Sequence, residues 1–246
     1  MKITISFATR GRANELIFCL SSYIINAEDN SNVEYICMVD YDDIETIQAI
    51  EKVNPIAHVY GAEIKYYVSD TIHEYKELER YHNRAGENFT GDCIFLPGDD
   101  TFPITKGWDT DIRIALMPYL NEPVWIGIIS LNEYWKGYAT MAGINRKWYE
   151  ITNIVTGTRD TDGFLPRVAQ LSGAKHIQLS VDFIHLQRGK KEMNYTKDGK
   201  LYTIYGLPND GKSRMPATYN SAEGEGLQRV QKAANKIKEW MVENEK

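Results

Sequence analysis

The first hundred residues alternate short apolar runs with stretches of helical periodicity, and this alternation constrains the fold more than any other feature of the chain. "KITISFAT", "VEYICMVD", "AEIKYYVSD" and "CIFLPGDD" read as strands. Between them lies "NELIFCLSSYII", in which Leu16, Ile17, Leu20, Tyr23 and Ile24 recur at helical spacing with Asn14 as the expected cap. "DDIETIQAIEKV" and "EYKELERYHNRAGENF" supply two more helices. Strand and helix in repetition are the pattern of βαβ units and a mostly parallel sheet.

The second half is less regular. "VWIGIISL" and "KHIQLSVDFIHLQ" each read as a strand, with "DGFLPRVAQLSG" between them as a helix ended by Gly173. From Gly189 to about Ala222 the chain turns polar, as in a loop or small hairpin. The tail sets Leu227, Val230, Ala234, Ile237 and Trp240 or Met241 on one helical face. The expected organisation is one domain over 1–222 with an amphipathic helix over 223–246 packed back onto it.

With 43% hydrophobic and 25% charged residues, the 246-residue chain has the composition of a soluble enzyme. Its net charge of -6 gives no general attraction to nucleic acid or anionic membrane. Cys19, Cys37 and Cys93 lie in apolar stretches without metal-binding spacing and read as reduced core residues. No signal-peptide pattern opens the chain, and no apolar run reaches the roughly 18 residues of a membrane span. A cytoplasmic protein without integral membrane association is the expectation.

Two acidic clusters fall at the carboxyl ends of strands: Asp40, Asp42 and Asp43 in "VDYDD", and Asp99 and Asp100 in "PGDD". In an open parallel sheet those ends line a common crevice, the usual ligand site. Gly98 lets a ligand approach the backbone there, and a hard divalent cation suits paired carboxylates. Capping a following turn is the other use of such acids.

Five segments in order resemble the family-2-type glycosyltransferases of GT-A fold, over roughly residues 1–188. "ITISFATRGR" resembles that family's opening strand, and "YICMVDYDD" its second strand ending in acids. "YHNRAGENFTGDCIFLPGDDTFPITKGWD" resembles the helix that leads into the metal-binding DXD strand. "RDTDGFLPRVAQLSG" resembles the segment with the catalytic acid, and "VDFIHLQ" the late strand with a metal-binding His. The resemblance implies a three-layer α/β/α sandwich with a Rossmann-like sheet, and a nucleoside diphosphate sugar, expected to be UDP-linked, as donor.

The resemblance also assigns roles. Asp100 and His185 would hold Mn²⁺ or Mg²⁺. The acids here are adjacent, where the family separates them by one residue, so Asp99 is the alternative ligand and otherwise sits on the nucleotide-sugar side. Asp162 would be the general base of an inverting transfer, with Asp160 as its alternative. Asn83 matches a donor-side polar residue. Asp42, or Asp40, can accept hydrogen bonds from a base or ribose, and Thr9, Arg10 and Arg12 lie in the loop beside them. Trp108, Trp135, Tyr138 and Trp148 are acceptor-side aromatics or core. Lys190, Lys191 and Lys197 are solvated loop charge or a cover over the diphosphate. His58, His73, His82 and His176 read as structural.

The acceptor, whether glycan, protein or nucleic acid, is not specified by the sequence. Two rivals stand beside the transferase. A sugar-nucleotide nucleotidyltransferase would carry a Gly- and Arg-rich signature ending in Pro-Lys, which "FATRGRANEL" does not match. A catalytically silent nucleotide-sugar-binding module would keep the pocket and lack turnover.

Overall fold

The computed structural model describes residues 1–72, 77–132, 139–186, 192–205 and 224–244. In chain order the elements are β1 (Ile3–Ala8), α1 (Ala13–Asn26), β2 (Val33–Asp40), α2 (Ile44–Val59), β3 (Glu63–Ser69), α3 (Leu78–Asn88) and β4 (Cys93–Leu96). There follow β5 (Thr101–Pro103), α4 (Trp108–Leu116), β6 (Val124–Ile128), β7 (Met141–Asn145), α5 (Arg146–Thr152) and α6 (Thr161–Ser172). The last elements are β8 (Lys175–Leu179), β9 (Phe183–His185), β10 (Glu192–Lys197), β11 (Lys200–Tyr205) and α7 (Gly224–Asn244).

Side chains alternate across a strand, and in β1 both sets are buried: Ile3, Ile5 and Phe7 on one face, Thr4 and Ser6 on the other. Such a strand needs cover on both sides, and β1 lies inside a seven-stranded sheet of order β3-β2-β1-β4-β7-β6-β8. Only β7 runs against its neighbours, β4 and β6; the other pairs are parallel. One face packs against α1, α2 and α4 through Leu16, Leu20, Ile50, Trp108 and Ile112. The other packs against α3, α5, α6 and α7 through Ala85, Trp148, Phe164, Val168 and Ile237. This is the expected three-layer α/β/α sandwich with a mostly parallel sheet.

Several local expectations are corrected. "KHIQLSVDFIHLQ" is two strands, not one: β8 ends the large sheet, while β9 pairs antiparallel with β5. Between them Asp182 accepts from the Ile104 N–H and donates its own N–H to Thr105 Oγ1, so the chain is drawn away to a second sheet. Asn14 does not cap α1; Arg12 holds the N-cap position, with no side-chain capping bond. "MAGINRKWYE" contributes a fully buried strand and a helix capped by Asn145, whose side chain accepts from the Trp148 N–H.

The aromatics of the two motifs are core. Trp108 and Trp148 are both fully buried. In "GWD", Gly107 takes φ +77°, Trp108 Nε1 donates to the Tyr23 carbonyl, and Asp109 accepts from the Glu28 and Asp29 N–H groups. The motif therefore ties α4 to the end of α1. Trp135, Tyr138, His73, Lys190 and Lys191 lie outside the described residues. Cys19, Cys37 and Cys93 are buried free thiols. The final helix packs by Val230, Ala233, Ala234 and Ile237, whereas Leu227 is exposed.

His82 is buried in α3, and its Nδ1 has no hydrogen-bond partner among the described residues. Burial lowers its pKa to about 4. An unfolded histidine titrates near 6.5, so below that pH the unfolded chain takes up a proton that the folded chain refuses. This contribution to stability is present above pH 6.5 and is lost as pH falls toward 4, by about 3 kcal/mol in all. Urea unfolding of wild type and His82→Leu at pH 7 and pH 4.5 checks this: the variant is expected to lose less stability on acidification.

Candidate active site

The carboxyl ends of β1, β2 and β4 lie side by side at the centre of the sheet. The loop after β1 is Thr9-Arg10-Gly11-Arg12, and Gly11 sits at φ +62°, a conformation that favours glycine. The turn it allows sends the two arginines to different acids. Arg10 Nη1 is 2.8 Å from Asp40 Oδ2, and the same guanidinium grips both oxygens of Asp42, with Nη2 2.7 Å from Oδ2. Arg12 Nη1 is 2.9 Å from Asp99 Oδ1, while Thr9 Oγ1 donates to Asp99 Oδ2 at 2.9 Å. The Gly11 N–H donates to Asp43, which also caps α2 by accepting from Thr46.

These pairings divide the acids by accessibility. Asp40 is fully buried and accepts from Arg10 and from the Tyr81 hydroxyl, so it anchors the edge. Asp42 keeps a third of its side chain exposed, and the Arg10 hydrogen bond lowers its pKa. The same bond to Asp42 raises that of Arg10. Asp99 is 3% exposed with Thr9 and Arg12 on its two oxygens. Burial raises its pKa, with Arg12 pulling the other way and Asp100 adding to the rise.

Asp100 turns the opposite way. Its carbonyl accepts from the Leu186 N–H at 2.7 Å, and the next residue, Thr101, stands opposite His185 in the β5–β9 pair. That short pair brings Asp100 Oδ1 to 3.5 Å from His185 Nε2, with both side chains partly exposed. His185 is held in turn by Asn132, whose amide accepts from its N–H and donates to its carbonyl. A Cβ on Gly98 would stand 2.5 Å from Asp100 Oδ1, so glycine there makes room for the carboxylate. Among the described residues no group of three or more His, Cys, Asp and Glu gathers to hold a metal.

Asp160 and Asp162 open α6. Asp160 is its N-cap, its Oδ1 accepting from the Gly163 N–H at 3.0 Å, and Asp162 lies in the first turn, partly exposed. Because α6 leads into the parallel strand β8, its N-terminus lies on the carboxyl side of the sheet. Asn83, expected on the donor side, spends its amide on this region. Its Oδ1 accepts from the Val155 and Thr156 N–H groups and its Nδ2 donates to the Thr156 carbonyl. Arg229 of α7 reaches the Gly157 carbonyl of the same loop. Lys197 pairs with Asp182 at 3.1 Å.

No protein-family model and no curated protein matches the sequence. Solved structures match the architecture. TarS 1–349 of S. aureus, in complex with UDP-GlcNAc, gives a TM-score of 0.60 at 13% identity, over 96% of this chain and 66% of its own. The fold is that of the GT-A glycosyltransferases. PcManGT, a mannosyltransferase of Pyrobaculum calidifontis in complex with GDP-Man and Mn²⁺, gives 0.58 at 12%, over 72% of this chain and 54% of its own. Glucosyl-3-phosphoglycerate synthase of Mycobacterium tuberculosis, with Mn²⁺, UDP and phosphoglyceric acid, gives 0.52 at 11%, over 76% and 71%. The chain thus spans little more than half of the mannosyltransferase that it matches.

Two substitutions probe the edge. Arg12→Met leaves the buried Asp99 carboxylate without its counter-charge, and chemical denaturation should register a loss of about 2–3 kcal/mol, partly restored by Arg12→Lys. Gly98→Ala should keep the melting temperature but push the Asp100 carboxylate aside. Any Mn²⁺ affinity that Asp100 confers, followed by electron paramagnetic resonance, should then weaken about tenfold or more, the cost of a carboxylate losing its orientation.

Proposed function

We propose that this chain is a glycosyltransferase that moves a sugar, with inversion, from a nucleoside diphosphate sugar to an acceptor hydroxyl, using Mn²⁺ or Mg²⁺. The observation that carries the reading is the pairing of Asp100 with His185 at the carboxyl edge of a GT-A sheet. The structural neighbours support the donor class, having been solved with GDP-Man, UDP-GlcNAc and UDP, two of them with Mn²⁺. UDP is the nucleotide expected for this chain.

The donor set fits a divalent ion. A carboxylate oxygen and an imidazole nitrogen 3.5 Å apart can reach one ion and leave its other positions to diphosphate oxygens. Nitrogen among oxygen ligands suits Mn²⁺ at least as well as Mg²⁺. When bound, the ion supplies positive charge where the departing diphosphate develops negative charge.

The chain's own residues do the rest. Asp100 and His185 are held in place by the Leu186 N–H and by Asn132. Asp99 acts as a buried anchor for Arg12 in place of a second ligand, and Arg10 and Arg12 bring positive charge to the edge. Asp42, oriented by Arg10, accepts hydrogen bonds from the base or ribose. Asp162 takes the proton of the acceptor hydroxyl as its oxygen bonds to the anomeric carbon and the bond to the diphosphate breaks, which inverts that carbon. Asp160 is the lesser candidate because it caps α6, and Asn83 positions the loop before both acids without touching the donor. No helix among the described residues is long and apolar enough to cross a membrane, and the reading calls for none.

Asp162→Asn separates binding from chemistry. Donor affinity by calorimetry should stay within twofold of wild type, while release of nucleoside diphosphate falls by up to about 10⁴-fold. Near-normal turnover would move the base to Asp160 or elsewhere. A wild-type chain that binds donor and metal yet releases no nucleoside diphosphate would instead be a silent binding module.

A further inference from the structure

A second concavity lies away from the acids, where α6 crosses the outer strands β6 and β8. It is a solvent-open hollow of about 400 Å³, within the roughly 300–1,000 Å³ of ligand pockets. Small residues border it, among them Ala139, Ala169 and Ala174. Gly127 lies on the same face of β6 as Trp125 and Ile129, and a Cβ there would come within 3.1 Å of the Ala139, His176 and Trp125 side chains. The roof on α6 is Pro166 and Ala169. Polar groups enter from three points: Gln170 on α6, and His176 and Gln178 on β8.

The lining residues carry no formal charge at neutral pH. There is no Asp, Glu, Lys or Arg among them, and partial burial lowers the pKa of His176. A phosphate or carboxylate would find no counter-charge. The two amides each offer both a donor and an acceptor, the complement that sugar hydroxyls need, and the small aliphatic side chains offer a surface for C–H faces. A nucleobase would want an aromatic face, but that of Trp125 is occupied: His176, its cross-strand neighbour, lies on it with ring centroids 3.9 Å apart and planes 4° from parallel.

The hollow is also connected to the proposed chemistry. Its rim residues Ile129 and Ala139 follow and precede the ends of β6 and β7 on the carboxyl side of the sheet. The helix that roofs it opens with Asp160 and Asp162, and the eight-residue step from Asp162 to Gln170 covers about 12 Å of helix, the reach of a short oligosaccharide. We infer that the hollow between α6 and β8 binds an uncharged sugar of the acceptor, one or more residues away from the sugar that is glycosylated. This rests on the transferase reading for the word acceptor, while saccharide binding itself does not depend on it.

Saturation-transfer NMR on the full chain, with neutral trisaccharides built from glucose, galactose, mannose and N-acetylglucosamine as probes, tests the inference. At least one should bind, keep binding in the presence of EDTA and in Asp100→Ala, and weaken about tenfold or more in Gln170→Ala/Gln178→Ala, where both side chains are exposed and folding should be spared. Binding by none of the probes, binding unchanged by these substitutions, or binding displaced by UDP would overturn it. Saccharide binding in a chain that never releases nucleoside diphosphate would sink the transferase and leave the sugar site; release without saccharide binding would do the reverse.

Discussion

Asp40, Asp42 and Asp99 crowd the carboxyl ends of β2 and β4, and the arrangement depends on Arg10 and Arg12 crossing from the loop after β1 to meet them. Carboxylates this close, two of them almost wholly buried, would otherwise be driven to neutralise or to turn outward. Each arginine answers a different cluster, and Gly11 between them supplies the turn that lets both do so. With Asp99 held by Arg12 and Thr9, Asp100 faces His185 instead. The short stretch "TRGR" therefore decides which acid of "GDD" stays partly exposed beside His185.

The second dependency is a pair of three-residue strands. β5 and β9 stand apart from the large sheet, yet their register sets Thr101 opposite His185 and so fixes the distance between the two proposed metal ligands. Asn132 ties the same strand end to the segment after β6. On the far side, Asn83 and Arg229 clamp the loop that leads into Asp160 and Asp162. The final helix thus does more than cover apolar surface: it helps to hold the loop that presents the proposed base.

The layered fold was legible because the strands of the first hundred residues are short apolar-rich runs that alternate with stretches of helical periodicity. The acids at strand ends were legible for the same reason, since a parallel sheet collects those ends on one edge. What the sequence hid is short or shared. Three-residue strands leave no periodicity to detect, so β5 and β9 merged into loop and neighbouring strand. The buried antiparallel strand "MAGIN" has only five residues with a glycine at its centre, too short a pattern to read as a strand. Trp108, Trp148 and Asn83 carry residue types suited to ligand contact, and only tertiary packing shows that they serve the core and a backbone clamp. The hollow lined by Gln170, His176 and Gln178 could not be read from a linear pattern, because α6, β6 and β8 each contribute part of its lining.

The central claim is that Asp100 and His185 together make donor binding depend on a divalent cation. The most direct measurement is the unfolding midpoint of the chain against a panel of nucleoside diphosphate sugars, with Mn²⁺ or with EDTA, in wild type, Asp100→Ala and His185→Ala. A ligand that binds only the folded state raises the midpoint by mass action. The account predicts a rise for wild type with one donor and Mn²⁺ together, and none with EDTA or in either variant. A rise that survives EDTA and both substitutions, or no rise with any donor, would contradict it.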